Sequence, residues 1–265
     1  MSDWNAELYE RFSDERALAA RDLIAGIDYK NPDHMLDLGC GTGLSSAIMR
    51  ARWPSAKLTA IDKSESMLKI ASERLSKANL LCASMESFTP EVAPDIIVAN
   101  ASVQWVPEHG PLLAQAVRWL TPGGILAVQM PNNLNEPSHR SMREVARSAP
   151  YSTCIDFEAQ TRAPLLSTAE YYDLLTHAGA RVRTWETNYY HVLPGVEAIA
   201  QWFETTGLKP YLDSLPAHLR TRFMADYIDA LQAHYEVRAD GNVLLVLPRL
   251  FFTAVARGPV DNTQE

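Results

Sequence analysis

The chain has 265 residues, a formal net charge of −8 and a hydrophobic fraction of 47%. This length and apolar content are enough for one large α/β domain, alone or carrying a smaller cap. The acidic balance without a basic run argues against a nucleic-acid partner, and the apolar runs are too short to span a bilayer. The start at Met1 does not resemble a signal peptide. Cys40, Cys82 and Cys154 show neither a paired framework nor metal spacing, so we expect a cytosolic protein without a metal site.

Residues 1–30 are predicted to form an N-terminal helical arm. Tyr9, Phe12 and Arg16 follow each other at steps of three and four, which places them on one face of a helix. A turn at Asn31-Pro32-Asp33 ends the arm. The remainder, residues 31–265, is predicted to be one domain with insertions.

Strands and helices alternate after the arm. The strands are predicted over 34–38, 57–61, 79–83, 94–100 and 125–130, and Ser64 is a candidate N-cap for the second helix between them. Five strands separated by helices predict a parallel sheet, whose ligand lies beyond the carboxyl ends of the strands.

The alternation stops after Pro131. Helical insertions are predicted at about 132–165 and 194–240, and we expect them to form a cap over the substrate. Between them lie a core helix and a β-rich stretch. The last strand, Asn242–Ala256, contains Pro248, which predicts either an edge position in the sheet or a bulge.

The stretch from Asp37 to Gly43 is the feature around which the chain is organised. It combines the end of a buried strand with glycines at alternate positions, which let the backbone turn sharply and let a ligand approach closely. Asp62 ends the next apolar run, where a carboxylate suits the hydroxyls of a ribose. The loop and this acid predict a nucleoside-cofactor site.

The charge at the loop distinguishes between nucleoside cofactors. Asp37 precedes the first glycine and would repel the pyrophosphate of a dinucleotide, which normally meets a helix N-terminus. The same carboxylate favours the sulfonium and amino groups of S-adenosylmethionine. By charge, the sulfonium cofactor fits better.

The loop Asp37–Gly43, Asp62, the Ala83-Ser84 turn and Asn100 resemble the successive motifs of class I S-adenosylmethionine-dependent methyltransferases. A closer resemblance, to the trans-aconitate 2-methyltransferase family, rests on motifs along the whole chain: the opening Ser-Asp-Trp-Asn, Ala99–Trp105, Ala127–Pro131, Trp185 with Tyr189-Tyr190-His191, and Pro248–Phe251. That family monomethylates a carboxylate of trans-aconitate and related tricarboxylates. The resemblance implies a Rossmann-like class I methyltransferase sheet, mostly parallel with the last strand antiparallel, and helical cap insertions.

The resemblance also implies which residues bind the cofactor. Asp37 and the loop backbone are expected to hold the methionine part, and Asp62 both ribose hydroxyls. Many class I enzymes have an acidic residue where Ser84 stands in this chain. The full expected set is Asp37, Gly39, Cys40, Gly41, Gly43, Asp62, Ser64, Met67, Ser84, Met85, Asn100 and Ala101.

A carboxylate acceptor is ionised at neutral pH and needs no general base. We therefore expect no catalytic residue beyond groups that align the reactants, and alignment alone contributes ~7–11 kcal/mol in favourable cases. A tricarboxylate requires arginine forks and hydroxyl or amide donors. The candidates, chosen by their place at the sheet's carboxyl edge, are Tyr9, Arg16, Gln104, Trp105, Asn132, Tyr189, Tyr190 and Arg249.

Other interpretations remain open from the sequence. A methyltransferase acting on a hydroxyl or a carbon acid would need a base, for which His109 and His191 are available. A nicotinamide-dependent oxidoreductase or a non-catalytic cofactor-binding regulator would use the same sheet. Trp105 also suits core packing, and Arg249 an ion pair on a strand. The oligomeric state is not set by the sequence.

Overall fold

The computed structural model describes residues 13–157 and 162–258. The part of the predicted N-terminal arm before Ser13, which includes Tyr9, lies outside these ranges. The described part of the arm is helix α1, Ser13–Ala25.

Seven strands and nine α-helices are described in these two ranges. The strands are β1 His34–Leu38, β2 Lys57–Asp62, β3 Asn79–Cys82, β4 Ile96–Asn100, β5 Ile125–Pro131, β6 Ala180–Leu193 and β7 Val243–Ala256. After α1, the helices are α2 Leu44–Arg52, α3 Glu65–Arg74, α4 His109–Trp119, α5 Pro137–Arg147, α6 Thr168–His177, α7 Val196–Glu204, α8 Lys209–Ser214 and α9 Ala217–Gln232.

The strands form one sheet in the order β3-β2-β1-β4-β5-β7-β6. The first five pair in parallel, as the alternation of strands and helices predicts. The amide of Gly123 donates to the Ala256 carbonyl at 2.9 Å, and the amide of Asn132 donates to the Pro248 carbonyl at 2.9 Å. The start of β5 therefore pairs with the end of β7, which confirms a mostly parallel sheet with an antiparallel last strand.

Of the two alternatives predicted for the strand that contains Pro248, the edge position is wrong, because β7 lies between β5 and β6. The bulge stays a prediction. Proline has no amide proton to contribute to a sheet ladder, which normally excludes it from inner strands. The neighbouring strand β5 ends at Pro131, and Pro248 contributes its carbonyl to Asn132 just beyond that end.

The chain divides into two compact units. The sheet unit consists of Ser13–Pro131, Leu165–Glu186 and the chain from Leu250 onward. Its core is built on β4 and β5, in which every residue except the last is buried, as expected for parallel strands covered on both faces.

The helical unit consists of Asn132–Pro164 and Thr187–Arg249, apart from the residues not described. Its core is aromatic: Tyr151 and Phe223 pack edge to face with ring centroids 5.0 Å apart, and Tyr227 donates a hydrogen bond of 3.2 Å to the Ser138 carbonyl. The role of this unit as a substrate cap stays a prediction. In the described ranges, no helix combines the length and hydropathy that crossing a membrane requires.

Candidate active site

The glycine loop between β1 and α2 has a backbone that side chains would disrupt. Gly39 has a φ of +76°, and a Cβ added to it would lie 2.5 Å from the Cβ of Ser102 and 2.9 Å from the Cε of Met85. Gly41 has a φ of +55°, and an added Cβ would meet no atom within 4 Å. Gly39 is therefore required for close packing, while the space beside Gly41 is open to a ligand.

The amide groups of the loop are engaged within the protein. Gly39 and Cys40 both donate to the Ile61 carbonyl at 2.9 Å, and Gly41 donates to Oδ2 of Asp62 at 2.8 Å. A phosphate cradle needs such amides to point at the ligand. The loop is consequently unsuited to a pyrophosphate, as the charge of Asp37 predicts.

Asp62 connects the loop to α3. Its Oδ2 accepts from Gly41 and its Oδ1 accepts from the Ser64 amide at 2.9 Å. Ser64 is the N-cap of α3 and accepts a hydrogen bond from the Met67 amide, which confirms the predicted cap. Because each carboxylate oxygen has two lone pairs, the half-buried Asp62 retains capacity to accept from ribose hydroxyls.

Asp37 lies fully buried at the end of β1. Its Oδ2 accepts hydrogen bonds from Ser46 at 2.6 Å and from Ser45 at 3.1 Å, both in the first turn of α2. Burial raises the pKa of this carboxyl to about 6, although the two serine hydroxyls lower it. The carboxylate is therefore ionised at neutral pH and becomes neutral in mild acid.

Oδ1 of Asp37, Oδ1 of Asn100 and Oε1 of Gln104 are buried acceptor oxygens at the carboxyl edge of the sheet, and none of them has a hydrogen-bond partner. Buried oxygens in native proteins nearly always accept a hydrogen bond. These three oxygens, one of which belongs to a carboxylate, suit a ligand that carries N–H donors and positive charge. The ammonium and sulfonium groups of S-adenosylmethionine meet that description, so the residues present fit this cofactor.

The turn after β4 is held in a strained conformation. Ala101 has a φ of +51°, the only positive value outside glycine in the described ranges. Its amide donates to the Gln129 carbonyl at 2.9 Å, and its own carbonyl accepts from Nε2 of Gln104 at 2.7 Å. Left-handed backbone in a residue with a Cβ persists where surrounding contacts enforce it, commonly at functional sites.

The loop cysteine and the turn after β3 complete the predicted cofactor set. Burial raises the pKa of the Cys40 thiol, with the Asp37 and Asp62 charges acting in the same direction, so the thiol stays neutral. Ser84 donates to Oε2 of Glu86 at 3.2 Å. An acidic side chain thus lies beside Ser84, although not at the position where many class I enzymes have one.

Neither candidate base is placed for proton transfer. The ring of His109 is buried, with Nδ1 3.0 Å from the Val106 carbonyl and Nε2 2.5 Å from the Tyr171 hydroxyl. Burial and the charge of Arg249 lower the pKa of His191 to about 4, and its ring packs on Trp202 at 4.7 Å. Both rings are packed among neighbouring groups, and the lowered pKa keeps the His191 ring neutral at neutral pH.

The helical unit contains a group of cationic side chains, which we call the arginine cluster: Arg143, Arg162 and Arg249. All three are half-buried. Burial, together with the charges of these three arginines, lowers the pKa of His139 to about 3. Arg143 is fixed by a hydrogen bond of 2.7 Å to the Leu134 carbonyl. The three guanidinium groups therefore lie near enough to His139 to act on its charge.

The other predicted substrate residues have differing surroundings. Trp105 is 40% exposed, Tyr190 is 61% exposed and Asn132 is also exposed. Tyr189 stacks on His191 with centroids 6.4 Å apart. Tyr9 and the side chain of Arg16 lie outside the described residues. Their substrate roles stay predictions.

Four residues of interest were missed by sequence reasoning: Arg143, Arg162, Glu86 and Gln129. Arg143 lies in a helix and Arg162 in an irregular stretch, and neither residue belongs to a sequence motif. Glu86 lies two positions beyond the expected acid. Gln129 interrupts an otherwise apolar strand, which is the one signal that the sequence offered. Within the described ranges, no group of three or more His, Cys, Asp or Glu side chains is placed to hold a metal ion.

Comparison with known proteins agrees with this geometry. The methyltransferase domain family matches residues 36–128. Trans-aconitate 2-methyltransferase of Acidovorax sp. (strain JS42) is 46% identical over 254 residues, covering 96% of this chain and 98% of the relative. The enzyme of the same name from Yersinia pestis (strain Pestoides F) is 42% identical, covering 97% of this chain and 100% of the relative.

Among solved structures, Haemonchus contortus phosphoethanolamine N-methyltransferase 2 in complex with S-adenosyl-L-methionine superposes with a TM-score of 0.55. It is 17% identical and covers 95% of this chain and 56% of its own, which establishes a shared fold. The fold is that of class I methyltransferases, and the full-length identity to the curated relatives is far above what fold alone requires. The chain belongs to the trans-aconitate 2-methyltransferase family.

Proposed function

We propose that the protein transfers the methyl group of S-adenosylmethionine to a carboxylate of trans-aconitate or a related small polycarboxylate, forming a methyl ester. The observation that carries the proposal is the 46% identity to trans-aconitate 2-methyltransferase over 96% of the chain. Two further features support it independently. The unpartnered acceptor oxygens suit a cationic cofactor, and the arginine cluster suits an anionic methyl acceptor.

The cofactor supplies an electrophilic methyl group bound to a positively charged sulfur. In this proposal Asp37, with Asn100 and Gln104, accepts from the ammonium group and favours the nearby positive charge. Asp62 accepts from the ribose hydroxyls while it holds the loop at Gly41. Ser64, Met67, Ser84 and Met85 border the nucleoside, and Gly43 and Ala101 shape the backbone on either side.

The protein's contribution to the chemistry is alignment. A carboxylate oxygen is already a nucleophile at neutral pH, so no side chain has to remove a proton. Holding the reactants in line accounts for much of the rate enhancement in such reactions. The packed surroundings of His109 and His191 agree with this mechanism and disfavour a hydroxyl or carbon acceptor, which would need a base.

The arginine cluster is proposed to bind carboxylate groups. Arginine presents a planar fork of N–H donors that matches a carboxylate, and partial burial strengthens such contacts relative to water. Tyr189, Tyr190, Asn132, Gln104 and Trp105 remain proposed substrate contacts, as do Tyr9 and Arg16 in the N-terminal arm.

We place the protein in the cytosol, in keeping with its three free cysteines, with a small anionic acceptor as its partner. The reaction requires no metal ion, nucleic acid or membrane surface. The two helical insertions are proposed to act as the substrate cap.

The proposal is tested by incubating the protein with S-adenosylmethionine and trans-aconitate and analysing the products by mass spectrometry. We expect a monomethyl ester and one equivalent of S-adenosylhomocysteine. Comparing the methylation of trans-aconitate with that of its saturated analogue tricarballylate shows whether the protein recognises the double bond. If calorimetry shows cofactor binding while no methyl ester forms with any tricarboxylate, the substrate assignment is wrong.

A further inference from the structure

Gln129 of β5 is a buried amide without hydrogen bonds. The residue is 0% exposed, and both Oε1 and Nε2 lack a partner. Leaving a buried polar group unpaired is destabilising, and native proteins contain few such groups. A neutral apolar residue at this position would avoid that cost, so the amide requires an explanation.

The register of the sheet gives the position of this amide. Asn100 is the Cα partner of Gln129 in β4–β5 pairing, and Asp37 is the partner of Val98 in β1–β4 pairing. Side chains two residues apart on a strand share a face, as do register partners on adjacent strands. Asp37, Asn100 and Gln129 therefore lie on one face of the sheet, at the carboxyl ends of three consecutive strands.

The unpartnered polar side-chain atoms on β1 and β4 differ from those that Gln129 adds on β5. The unpartnered side-chain atoms of Asp37 and Asn100 are oxygens that only accept, and they suit the cationic cofactor. Gln129 adds an N–H donor on β5, the next strand of the sheet, and neighbouring strands lie about 4.8 Å apart. Gln129 therefore places an unpartnered N–H donor beside Asn100, on the side of β4 that faces away from β1.

From this arrangement we infer that Gln129 holds the carboxylate that receives the methyl group, by donating Nε2–H to one of its two oxygens. This inference rests on the proposed function. The other oxygen attacks: its lone pair forms the O–C bond, the C–S bond breaks, and its electron pair stays on sulfur. No proton is transferred. The backbone N–H of Ala101 donates to the Gln129 carbonyl. The turn at Ala101 therefore positions the backbone of Gln129, from which the side-chain amide extends.

A neutral amide has an advantage over arginine at this place. Arginine would stabilise the full negative charge of the acceptor, which is lost during the reaction, and such ground-state stabilisation raises the barrier. An amide donor orients the carboxylate with less stabilisation of its charge. Gln129 thus acts as a positioning residue for the reacting group.

Two substitutions test the inference. Gln129→Met keeps the length of the side chain and removes its polar atoms, whereas Gln129→Glu keeps the shape and replaces the donor with a carboxyl group. Trp119→Phe is the matched control, since the indole N–H of Trp119 is also buried without a partner and lies in α4. For each variant we would measure kcat and KM for trans-aconitate, the Kd of S-adenosylhomocysteine, and Tm.

We expect Gln129→Met to raise the KM for trans-aconitate at least tenfold, with the Kd for S-adenosylhomocysteine within twofold of wild type and Tm unchanged or higher. A variant that is at least as stable as wild type but binds the acceptor more weakly indicates that the side chain serves to bind a ligand and not to stabilise the fold. Gln129→Glu is expected to raise KM further by repulsion, and Trp119→Phe to leave both constants unchanged.

With an active wild type, three results for Gln129→Met would overturn the inference while the proposed function stands. The first is a KM for trans-aconitate within twofold of wild type, and the second is a loss of cofactor affinity instead of acceptor affinity. The third is a clear fall in Tm, which would show that the amide is structural. If the wild type binds cofactor but forms no ester, the proposed function itself fails.

Discussion

The two units of the chain offer opposite polar chemistry to ligands. In the sheet unit, the unsatisfied side-chain atoms of Asp37, Asn100 and Gln104 are acceptor oxygens, and one belongs to an ionised carboxylate. In the helical unit, three half-buried arginines surround the neutral His139. The difference is in keeping with the proposed function, in which the sheet unit binds a sulfonium cofactor and the arginine cluster binds a polycarboxylate.

The largest effect is expected from removing a positive charge. Arg249→Ala should raise the KM for trans-aconitate by ten- to a hundredfold, since hydrogen bonds to charged groups contribute about 1.5–3 kcal/mol. Cofactor affinity should stay within twofold. Arg238→Ala, which removes an exposed arginine paired with Glu236 at 3.1 Å in the same unit, is the control. A variant that loses cofactor affinity and keeps its KM would remove Arg249 from substrate recognition.

The corresponding change in the sheet unit is Asp62→Ala. We expect cofactor affinity to weaken by about 1–3 kcal/mol, because the ribose hydroxyls lose a charged acceptor. Calorimetry with S-adenosylhomocysteine measures this, with Asp240→Ala as a control in an exposed turn. Unchanged affinity would mean that another residue reads the ribose.

The ionisation of Asp37 predicts a pH dependence that is confined to the sheet unit. Its pKa is raised to about 6, above the unfolded value, so its protonation favours the folded state and that contribution is lost as pH rises through 6. Cofactor binding has the opposite dependence, because a cationic ligand prefers the carboxylate. We expect affinity for S-adenosylmethionine to fall by up to tenfold between pH 6 and pH 5.

The control for this pH effect is Asp37→Asn, which should bind the cofactor weakly with little change between these pH values. Calorimetry over pH 5–8 makes the comparison. A wild-type affinity that is constant over this interval would contradict a direct role of the Asp37 charge.

The smallest effect concerns stability in the helical unit. The pKa of His191 is lowered to about 4, so the unfolded chain binds a proton more tightly and stability is lost as pH falls below the unfolded value of about 6.5. His191→Phe keeps an aromatic ring against Trp202 and removes the titration. Between pH 6.5 and pH 5, urea unfolding should show a loss about 1–2 kcal/mol smaller in the variant. Equal losses would show that His191 titrates normally.

The parallel half of the sheet could be predicted from the sequence because its signals are local. Strands such as β4 are apolar throughout, glycines mark the loop after β1, and Ser64 caps α3 as its position indicates. The class of the fold and the cofactor loop follow from these features.

Other features depend on tertiary packing that no local pattern encodes. Pro248 suggested an edge position or a bulge. The strand is an inner one, and it accommodates the proline because β5 ends at Pro131 and Pro248 pairs through its carbonyl with Asn132 just beyond that end. Arg143 and Arg162 are brought near His139 by the folding of the helical unit. Gln129 is informative only because folding buries its amide without partners.

The hydrogen bonds of the glycine loop have a consequence for redesigning cofactor choice. In dinucleotide-binding folds the acidic residue after the second strand helps to set the choice of nucleotide cofactor. In this protein the amides of Gly39 and Cys40 are committed to Ile61, and that of Gly41 to Asp62. Replacing Asp62 would free a single amide and leave the other two turned inward. Selectivity against phosphate-bearing cofactors therefore lies in the main chain, and altering it would require rebuilding the loop.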